Sequence, residues 1–313
     1  MSRFETPRVA IVGAGEIGRG WAALAVAAGW PVTIYDADAE ALAPASDEIG
    51  DRVVTLIRLK RAEPAVAERA LNEMKVGRSL LQTVSEASWI IEAVQEDLPT
   101  KLKVLQLVEQ VARQSAILTS SSNSLGPTIL CSRLERPDRF MVAHPLDPVE
   151  LIPLVEVVPS PKTDPICIED VRFWLSLLGR SAIVFKKEVP GNIAARLSAA
   201  LWRECIQLVV DGVLDVEDVD RAVSVGPALA WAASGPNLDH HLAAGKWGVE
   251  VFLANVLGTY EELWKSLADW TQLSTEDQKK LIRLIDRAYT KHVHELREAR
   301  DQRLVRLLEA LRE

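Results

Sequence analysis

His144 and Glu156 are the two side chains whose types and spacing best suit proton transfer. His144 directly follows the apolar run 140–143, and Glu156 lies inside the next apolar run, 154–158. A neutral imidazole can take a proton from an alcohol at neutral pH, and a paired carboxylate would increase its basicity. On the residues alone, a histidine buried in the core beside a strand glutamate is an equally good interpretation.

A glycine-rich turn near the start of the chain could bind a phosphate group. The pattern G-x-G-x-x-G is matched by Gly13-Ala14-Gly15-Glu16-Ile17-Gly18, between a β-branched run at 8–12 and an apolar helical run at 20–29. In such a turn the first glycine permits a tight bend, the second lets the backbone approach a pyrophosphate, and the third lets helix and strand pack closely. The positive end of the helix dipole would then face the phosphates.

Asp36 ends the following strand-like run, 31–36, and completes the pattern of a dinucleotide-binding βαβ unit. Its carboxylate would accept hydrogen bonds from ribose hydroxyls and repel a 2′-phosphate, which favours NAD over NADP as the cofactor. The alternative is a structural glycine turn without a ligand. The residues assigned to the cofactor in this unit are Gly13, Gly15, Glu16, Ile17, Gly18 and Asp36.

Strands and helices alternate through the first part of the chain and give way to helices in the second. The alternation predicts a doubly wound parallel sheet of the Rossmann type over 1–188, and helical periodicity predicts an all-α domain over 189–313. In the first part we expect strands at 8–12, 31–36, 89–93, 116–119, 140–143 and 154–158, and helices at 20–29, 47–74 and 100–114. In the second part we expect helices at 194–211, at 216–222, from the capping residue Ser274 onward, and at 291–312.

Composition narrows the class of protein. The chain has 313 residues, of which 48% are hydrophobic, and a net charge of -8, which argues against a nucleic-acid partner. No apolar run approaches the roughly 18–20 residues that span a bilayer, and the first residues do not resemble a signal peptide, so we expect a cytoplasmic protein without a membrane partner. We expect Cys131, Cys167 and Cys205 to be free thiols, and no metal site, because histidines and cysteines do not cluster.

The segment that begins at His144 resembles the active-site strands of the 3-hydroxyacyl-CoA dehydrogenases. It reads His144-Pro145-Leu146-Asp147-Pro148 and is followed by Pro153-Leu154-Val155-Glu156. The resemblance extends over nearly the whole chain and includes the glycine turn and the segments 94–101, 120–125, 187–191 and 226–232. It is closest to the members that act on short substrates, the L-gulonate 3-dehydrogenases (lambda-crystallins) and the L-carnitine dehydrogenases.

The resemblance implies roles for several side chains. His144 would remove the hydroxyl proton while hydride leaves for the nicotinamide, and Glu156 would fix the imidazole tautomer and stabilise its charged form. Glu96 and Lys101 would lie near the ribose and the nicotinamide; the alternative for them is a surface ion pair at the start of a helix. Asn123 stands where the family carries a serine that contacts the reacting oxygen, and its amide can also donate a hydrogen bond.

Other positions of the expected substrate site depart from the family pattern. Asp147 stands in place of an asparagine, and Asn192 in place of an aromatic residue. Ala195 replaces the asparagine that opens the first helix of the helical domain, and Ala230 replaces an arginine suited to a substrate carboxylate. Unless these changes are drift, Ala230 and Asp147 together predict a pocket that binds a carboxylate poorly and a cation better.

Trp231 and Trp202 could present aromatic faces to an ammonium group, whereas Lys246 adds a cation in a segment near the expected pocket rim.

Taken together, the sequence predicts an NAD-dependent oxidoreductase for the 3-hydroxyl group of a small substrate that is not a CoA ester. The alternatives are a 3-hydroxyacyl-CoA dehydrogenase and a catalytically weak, crystallin-like protein that binds NAD. We also expect a homodimer joined mainly through the helical domain, because its apolar and tryptophan content exceeds what one thin layer can bury.

Overall fold

A computed structural model describes residues 6–290 and 292–310. The chain divides into two units between Ala195 and Arg196. The first unit contains an eight-stranded sheet with helices, whereas the described residues of the second unit form helices and no strand. The predicted fold class, a Rossmann-type α/β unit followed by an all-α unit, is confirmed.

The sheet of the first unit has the strand order β3-β2-β1-β4-β5-β6-β7-β8. Its strands are β1 (Val9–Val12), β2 (Val32–Tyr35), β3 (Lys75–Val76), β4 (Trp89–Glu92), β5 (Ile117–Ser120), β6 (Phe140–Pro145), β7 (Leu154–Pro159) and β8 (Ser181–Val184). Neighbouring strands from β3 to β6 are parallel, in the order typical of dinucleotide-binding sheets. The carboxyl ends of these strands therefore meet at one edge, where ligands bind in such folds.

The strand β7 is antiparallel to β6, and β8 runs parallel to β7. The expectation that the runs 140–143 and 154–158 belong to a wholly parallel sheet is therefore wrong. Only a short loop separates β6 from β7, whereas a parallel neighbour requires a crossover of a dozen or more residues. Two short strands, β3 and β8, were not predicted. β3 consists of two exposed residues, and the short apolar run of β8, 182–184, was not interpreted as a strand.

Helices on both faces cover the sheet of the first unit. They are α1 (Glu16–Ala27), α2 (Ala39–Leu42), α3 (Ala45–Arg58), α4 (Pro64–Glu73), α5 (Leu80–Val84), α6 (Leu98–Val111), α7 (Pro127–Leu130) and α8 (Pro165–Leu177). The predicted helical run 47–74 is two helices, because Lys60 adopts a left-handed conformation and Pro64 starts α4. Asp97 caps α6 by accepting a hydrogen bond from Thr100 N.

Two apolar clusters lie on the two faces of the sheet. Alternate residues of β1 belong to different clusters, Val9 and Ile11 to one and Ala10 and Val12 to the other, as the pleat of a doubly covered strand requires. Trp89 lies in the first cluster and contacts three other tryptophan rings. These neighbours are Trp21, Trp30 and Trp174. Such ring pairs contribute roughly 0.5–1.5 kcal/mol each beyond their buried area.

The second unit consists of helices. They are α9 (Ile193–Val210), whose first turn belongs to the first unit, α10 (Val216–Val225), α11 (Pro227–Ser234), α12 (Pro236–Ala243), α13 (Gly248–Ser266), α14 (Thr275–Ala288) and α15 (Val293–Ala310). Ser274 caps α14 as predicted, accepting a hydrogen bond from Asp277 N at 3.0 Å. Of the predicted helix 291–312, α15 covers most, while positions 291, 311 and 312 lie outside the described residues. None of the described helices is both long and apolar enough to cross a membrane.

Candidate active site

The glycine turn lies between β1 and α1 and requires glycine at two of its positions. Gly13 has φ +115°, a conformation that other residues rarely adopt. A Cβ atom added at Gly18 would lie 1.9 Å from the carbonyl oxygen of Gly13, so only glycine lets α1 pack this closely on the turn. A Cβ atom at Gly15 would meet no protein atom within 4 Å, so the backbone is open to a ligand at this point.

The N-terminus of α1 has the features of a phosphate site. Its N-cap is Gly15, and no side chain caps the N–H groups of the first turn, which includes Glu16 and Ile17. Uncapped N–H groups and the positive end of a 12-residue helix favour an anion. These residues therefore fit the pyrophosphate of NAD.

Asp36 lies directly after β2, at the same edge of the sheet as the glycine turn. Its Oδ2 accepts a hydrogen bond from Ala14 N at 2.7 Å, and its Oδ1 accepts one from Asp38 N at 2.9 Å. A carboxylate oxygen can accept more than one hydrogen bond, so both oxygens can still bind ribose hydroxyls. Asp36 therefore stabilises the conformation of the glycine turn.

Arg52 of α3 neutralises a negative charge at this turn. It donates to Glu16 Oε1 at 2.5 Å and to Glu150 Oε2 at 2.9 Å, and its own side chain is 13% exposed. Burial lowers the pKa of Arg52, but the charges and hydrogen bonds of Glu150 and Glu16 have the larger effect. The pKa of Arg52 is therefore raised above its usual value. Without this pairing, the carboxylate of Glu16 would repel a pyrophosphate. The sequence analysis missed Arg52 and Glu150, because residues so far apart in the chain show no spacing signal.

Lys101 of α6 carries a buried positive charge between two carboxylates. Its side chain is 1% exposed, and Nζ lies 2.8 Å from Glu92 Oε1 and 3.3 Å from Glu96 Oε2. The carbonyl oxygen of Val94 accepts a further hydrogen bond from Nζ at 3.1 Å. Lys101 is therefore not part of a surface ion pair. The pairing of Glu92 with Lys101 was not predicted, although a glutamate within an apolar strand indicates a buried carboxylate that needs a partner.

Glu96 binds the turn that follows β5. Its Oε1 accepts hydrogen bonds from Ser122 Oγ at 2.6 Å, Asn123 N at 3.0 Å and Ser124 N at 2.8 Å. Burial would raise the pKa of the Glu96 carboxyl, but the hydrogen bonds from Ser122 and Ser124 and the charge of Lys101 outweigh it and lower the pKa to about 2. An ionised Glu96 thus joins the loops that follow β4 and β5.

His144 and Glu156 lie directly opposite each other in the antiparallel pair β6 and β7. Their side chains therefore project from the same face of the sheet. The Nδ1 atom of His144 lies 3.3 Å from the carbonyl oxygen of Ser121. Because a carbonyl oxygen only accepts, this contact places the proton on Nδ1 and leaves Nε2 with the lone pair that a base requires.

Glu156 has one satisfied and one unsatisfied carboxylate oxygen. Its Oε1 accepts hydrogen bonds from Ile193 N at 2.8 Å and Ala194 N at 2.9 Å, in the first turn of α9. Its Oε2 is buried and has no hydrogen-bond partner among the described residues. Among the described residues, the imidazole of His144 has a hydrogen-bond contact with the Ser121 carbonyl but none with Glu156. The role that the resemblance implies for Glu156 therefore stays a prediction.

The remaining predicted site residues lie in both units. The side chain of Asn123 is exposed, and its carbonyl oxygen accepts a hydrogen bond from Asn192 Nδ2 at 3.1 Å. Asp147 is exposed in the loop after β6, and no described residue donates a hydrogen bond to its carboxylate. Ala195 lies in the first turn of α9. In the second unit, α11 carries Ala230, which is exposed, and Trp231, which is half-buried. The first unit thus brings together Asn123, His144, Glu156 and Asn192.

A cavity of about 980 Å³ lies elsewhere, beside Arg8, Trp30 and Lys75. Arg8 and Pro31 precede β1 and β2, so this cavity is at the amino ends of the strands. Ligands of such sheets bind at the carboxyl ends, where the glycine turn and Asp36 are found. The fold and the site therefore define a Rossmann-type oxidoreductase that uses NAD.

Comparison with protein families gives a finer assignment. The NAD binding domain of 3-hydroxyacyl-CoA dehydrogenase matches residues 8–189, and the C-terminal domain of the same enzymes matches residues 191–283. The chain belongs to the 3-hydroxyacyl-CoA dehydrogenase family.

Several known proteins are similar over nearly the whole chain. The L-carnitine dehydrogenase of Bacillus cereus is 33% identical over 99% of this chain and 94% of its own length. The L-carnitine dehydrogenase/betainyl-CoA thioesterase of Ruegeria pomeroyi is 33% identical over 97% of this chain, which spans 62% of that longer protein. A solved structure, that of 5-formyl-3-hydroxy-2-methylpyridine 4-carboxylic acid 5-dehydrogenase, an NAD+-dependent dismutase, matches with a TM-score of 0.83 and 26% identity, covering 99% of this chain and 100% of that chain.

Glu96→Gln should lower the free energy of unfolding by about 1–2 kcal/mol at neutral pH, because the neutral amide loses charge-assisted hydrogen bonds. The pKa of Glu96 is lowered from 4.5 to about 2, so its contribution is fully present above pH 4.5 and is lost as the pH falls towards 2. Denaturant titrations should therefore show a difference between wild type and variant that shrinks over this range.

The matched control is Glu86→Gln, which removes an exposed glutamate that lies 3.8 Å from Arg8. This control should change the stability by at most a few tenths of a kcal/mol at any pH. A difference between wild type and Glu96→Gln that stays constant down to pH 2 would contradict the assignment.

Proposed function

We propose that the protein oxidises the 3-hydroxyl group of a small substrate that is not a CoA ester, with His144 as the base. The observation that carries the proposal is the contact between His144 Nδ1 and the Ser121 carbonyl, because a neutral imidazole that donates from Nδ1 has its lone pair on Nε2. When bound, NAD supplies the acceptor for the hydride that leaves the carbinol carbon. The hydroxyl proton goes to Nε2 of His144, and the product is a ketone.

Two further side chains complete the proposed chemistry. The exposed amide of Asn123 would donate a hydrogen bond to the substrate oxygen and so orient it towards His144. The unpartnered Oε2 of Glu156, on the same face of the sheet as His144, would stabilise the imidazolium that forms. Asn123 therefore takes the role that a serine has in the family pattern.

A cationic or neutral distal group on the substrate is the specificity that the sequence favours. Similar proteins named L-carnitine dehydrogenase support the cationic part of this specificity, since carnitine carries a quaternary ammonium group. Carnitine also carries a carboxylate, for which the family arginine at the position of Ala230 would be suited. In this chain Asp147 offers an exposed carboxylate with which no described residue pairs, while Ala230 supplies no cation for a substrate carboxylate. Lys246, which argued against a cationic group, has its ammonium 4.7 Å from the ring centre of Trp247 and is engaged there.

A 3-hydroxyacyl-CoA dehydrogenase is the second candidate, and the family membership itself favours it. Activity with acetoacetyl-CoA in the reductive direction would distinguish it from the first candidate. A catalytically weak, crystallin-like protein is the third. The arrangement of His144 against Ser121 argues for catalysis, because a purely structural protein has no need of a free imidazole nitrogen beside a buried carboxylate.

We further propose that a second copy of the chain covers the apolar surface of the second unit. Among its described residues only Ile206, Val209 and Val219 are buried apolar side chains. Large rings such as Trp247 and Trp264 are more than half exposed, at 65% and 57%. Surfaces of this kind typically form interfaces, so we expect a homodimer. Light scattering at micromolar concentration that gives the mass of one chain would contradict this expectation.

His144→Gln should lower kcat by roughly 10²–10⁴, the usual contribution of a positioned base, while the affinity for NAD stays unchanged. The matched control is His294→Gln, which replaces an exposed histidine of α15 and should leave kcat unchanged. Steady-state kinetics gives kcat, and calorimetry gives the affinity for NAD. Turnover of His144→Gln within a few-fold of wild type would show that the base is another residue.

A substrate panel tests the predicted specificity. L-carnitine and carnitinamide, in which a neutral amide replaces the carboxylate and the quaternary ammonium group remains, should give a higher kcat/KM than L-gulonate and L-3-hydroxybutyrate, which lack an ammonium group. Ala230→Arg should improve the plain hydroxy acids about tenfold or more, because a new charge pair of 1.4 kcal/mol already gives that factor. Asp147→Asn should reduce the preference for the cationic substrates.

The opposite ranking would count against the electrostatic interpretation. If L-gulonate or L-3-hydroxybutyrate is the best wild-type substrate and Ala230→Arg brings no improvement, Ala230 and Asp147 do not determine specificity. The proposed oxidation of a small hydroxy compound would then remain supported, whereas the cationic distal group would not.

A further inference from the structure

The segment 191–194, which leads into α9 and includes its first two residues, contacts two of the proposed catalytic residues at once. Asn192 Nδ2 donates to the carbonyl oxygen of Asn123 at 3.1 Å. Ile193 N and Ala194 N donate to Oε1 of Glu156 at 2.8 and 2.9 Å. One short segment therefore joins the loop after β5 to the centre of β7.

The conformation of Asn192 is what allows both sets of contacts. Its φ is 50°, in the left-handed region, and only 7% of the residue is exposed. This conformation is unfavourable for most residues other than glycine, and asparagine is among the residues that adopt it most readily. Gly191, with φ 77°, and Asn192 are consecutive left-handed residues that turn the chain into α9. The next two N–H groups donate to Glu156, and the Asn192 amide donates to Asn123.

The contacts at Oε1 have a consequence for the other oxygen of Glu156. Two backbone N–H groups fix the carboxylate plane, and Oε2 then stays buried without a partner among the described residues. His144 lies opposite Glu156 in the ladder and projects from the same face of the sheet. Fixing Oε1 therefore reserves Oε2 for the imidazolium that forms when His144 takes a proton.

We propose that Asn192 is a positioning residue for the reaction, which sets the orientation of Asn123 through its amide and that of Glu156 through its left-handed backbone. This inference rests on the proposed function, in which Asn123 and Glu156 act on the substrate oxygen and on His144. Asn192 itself need not touch the substrate, because its amide nitrogen is already bonded to Asn123.

Two substitutions separate the amide from the backbone. Asn192→Gly removes the amide but keeps the left-handed conformation, so only Asn123 loses its support. Asn192→Ala removes the amide and also strains the left-handed backbone, so the N–H groups of Ile193 and Ala194 should move away from Glu156. The matched controls are Lys60→Gly and Lys60→Ala, since Lys60 has φ 54° and lies outside the site.

We expect kcat to fall about tenfold in Asn192→Gly and about a hundredfold in Asn192→Ala, as for small misplacements of catalytic groups, with the affinity for NAD unchanged. The Lys60 variants should stay within twofold of wild type. Hydrogen exchange followed by mass spectrometry gives a readout that does not depend on activity. Exchange in the segment 121–125 should increase in both Asn192 variants, exchange at 193–194 only in Asn192→Ala, and exchange at 13–18 in neither.

The outcomes separate this inference from the proposed function. A wild type that oxidises no substrate of the panel refutes the proposed function, while hydrogen exchange still decides whether Asn192 fixes the two contacts. Wild-type kcat in both variants, with increased local exchange, would show that the segment 191–194 is only structural and would overturn the positioning role. Unchanged exchange at 121–125 and 193–194 would overturn it as well. Should Asn192→Ala fail to fold, Asn192→Gly alone supports or refutes the contribution of the amide.

Discussion

The buried positive charge of Lys101 is the interaction on which the rest of the site depends. A lysine that is 1% exposed requires compensation, which the carboxylates of Glu92 and Glu96 provide. Glu92 is fully buried, and leaving Lys101 without it would cost about 3–5 kcal/mol, so α6 stays held against β4. Since Glu96 also binds the N–H groups of the loop after β5, the carbonyl of Ser121 in that loop lies where it accepts from His144.

The pairing of β6 with β7 is the second constraint. Antiparallel register places His144 opposite Glu156, and a slip by one residue would turn one of the two side chains to the other face of the sheet. The first turn of α9 then binds Oε1 of Glu156, which leaves its Oε2 buried and free. Under the proposed function, the charge network would orient the imidazole through the Ser121 carbonyl, and β7 would supply the carboxylate of Glu156.

Local patterns in the sequence predicted much of this arrangement. The glycine turn, Asp36 and the strands β1, β2 and β4 follow from short-range rules that require no knowledge of distant contacts. The reversal of β7 was missed because an apolar run does not reveal strand direction. The pairing of Arg52 with Glu150 was missed because long-range contacts between charged residues leave no periodic signal. Asn192, which departs from the family pattern, supplies a buried amide that binds the loop of Asn123, a contact that the sequence alone does not reveal.

The central claim is that Nε2 of His144 is the base for the hydroxyl proton. A crystal structure of the protein with NADH and an unreactive analogue of L-carnitine tests it most directly. We expect the oxygen atom of the analogue that corresponds to the substrate hydroxyl to lie about 2.6–3.2 Å from Nε2 of His144 and within reach of the Asn123 amide. Nδ1 of His144 should still face the Ser121 carbonyl. An analogue whose oxygen binds another residue, with His144 turned away, would contradict the account.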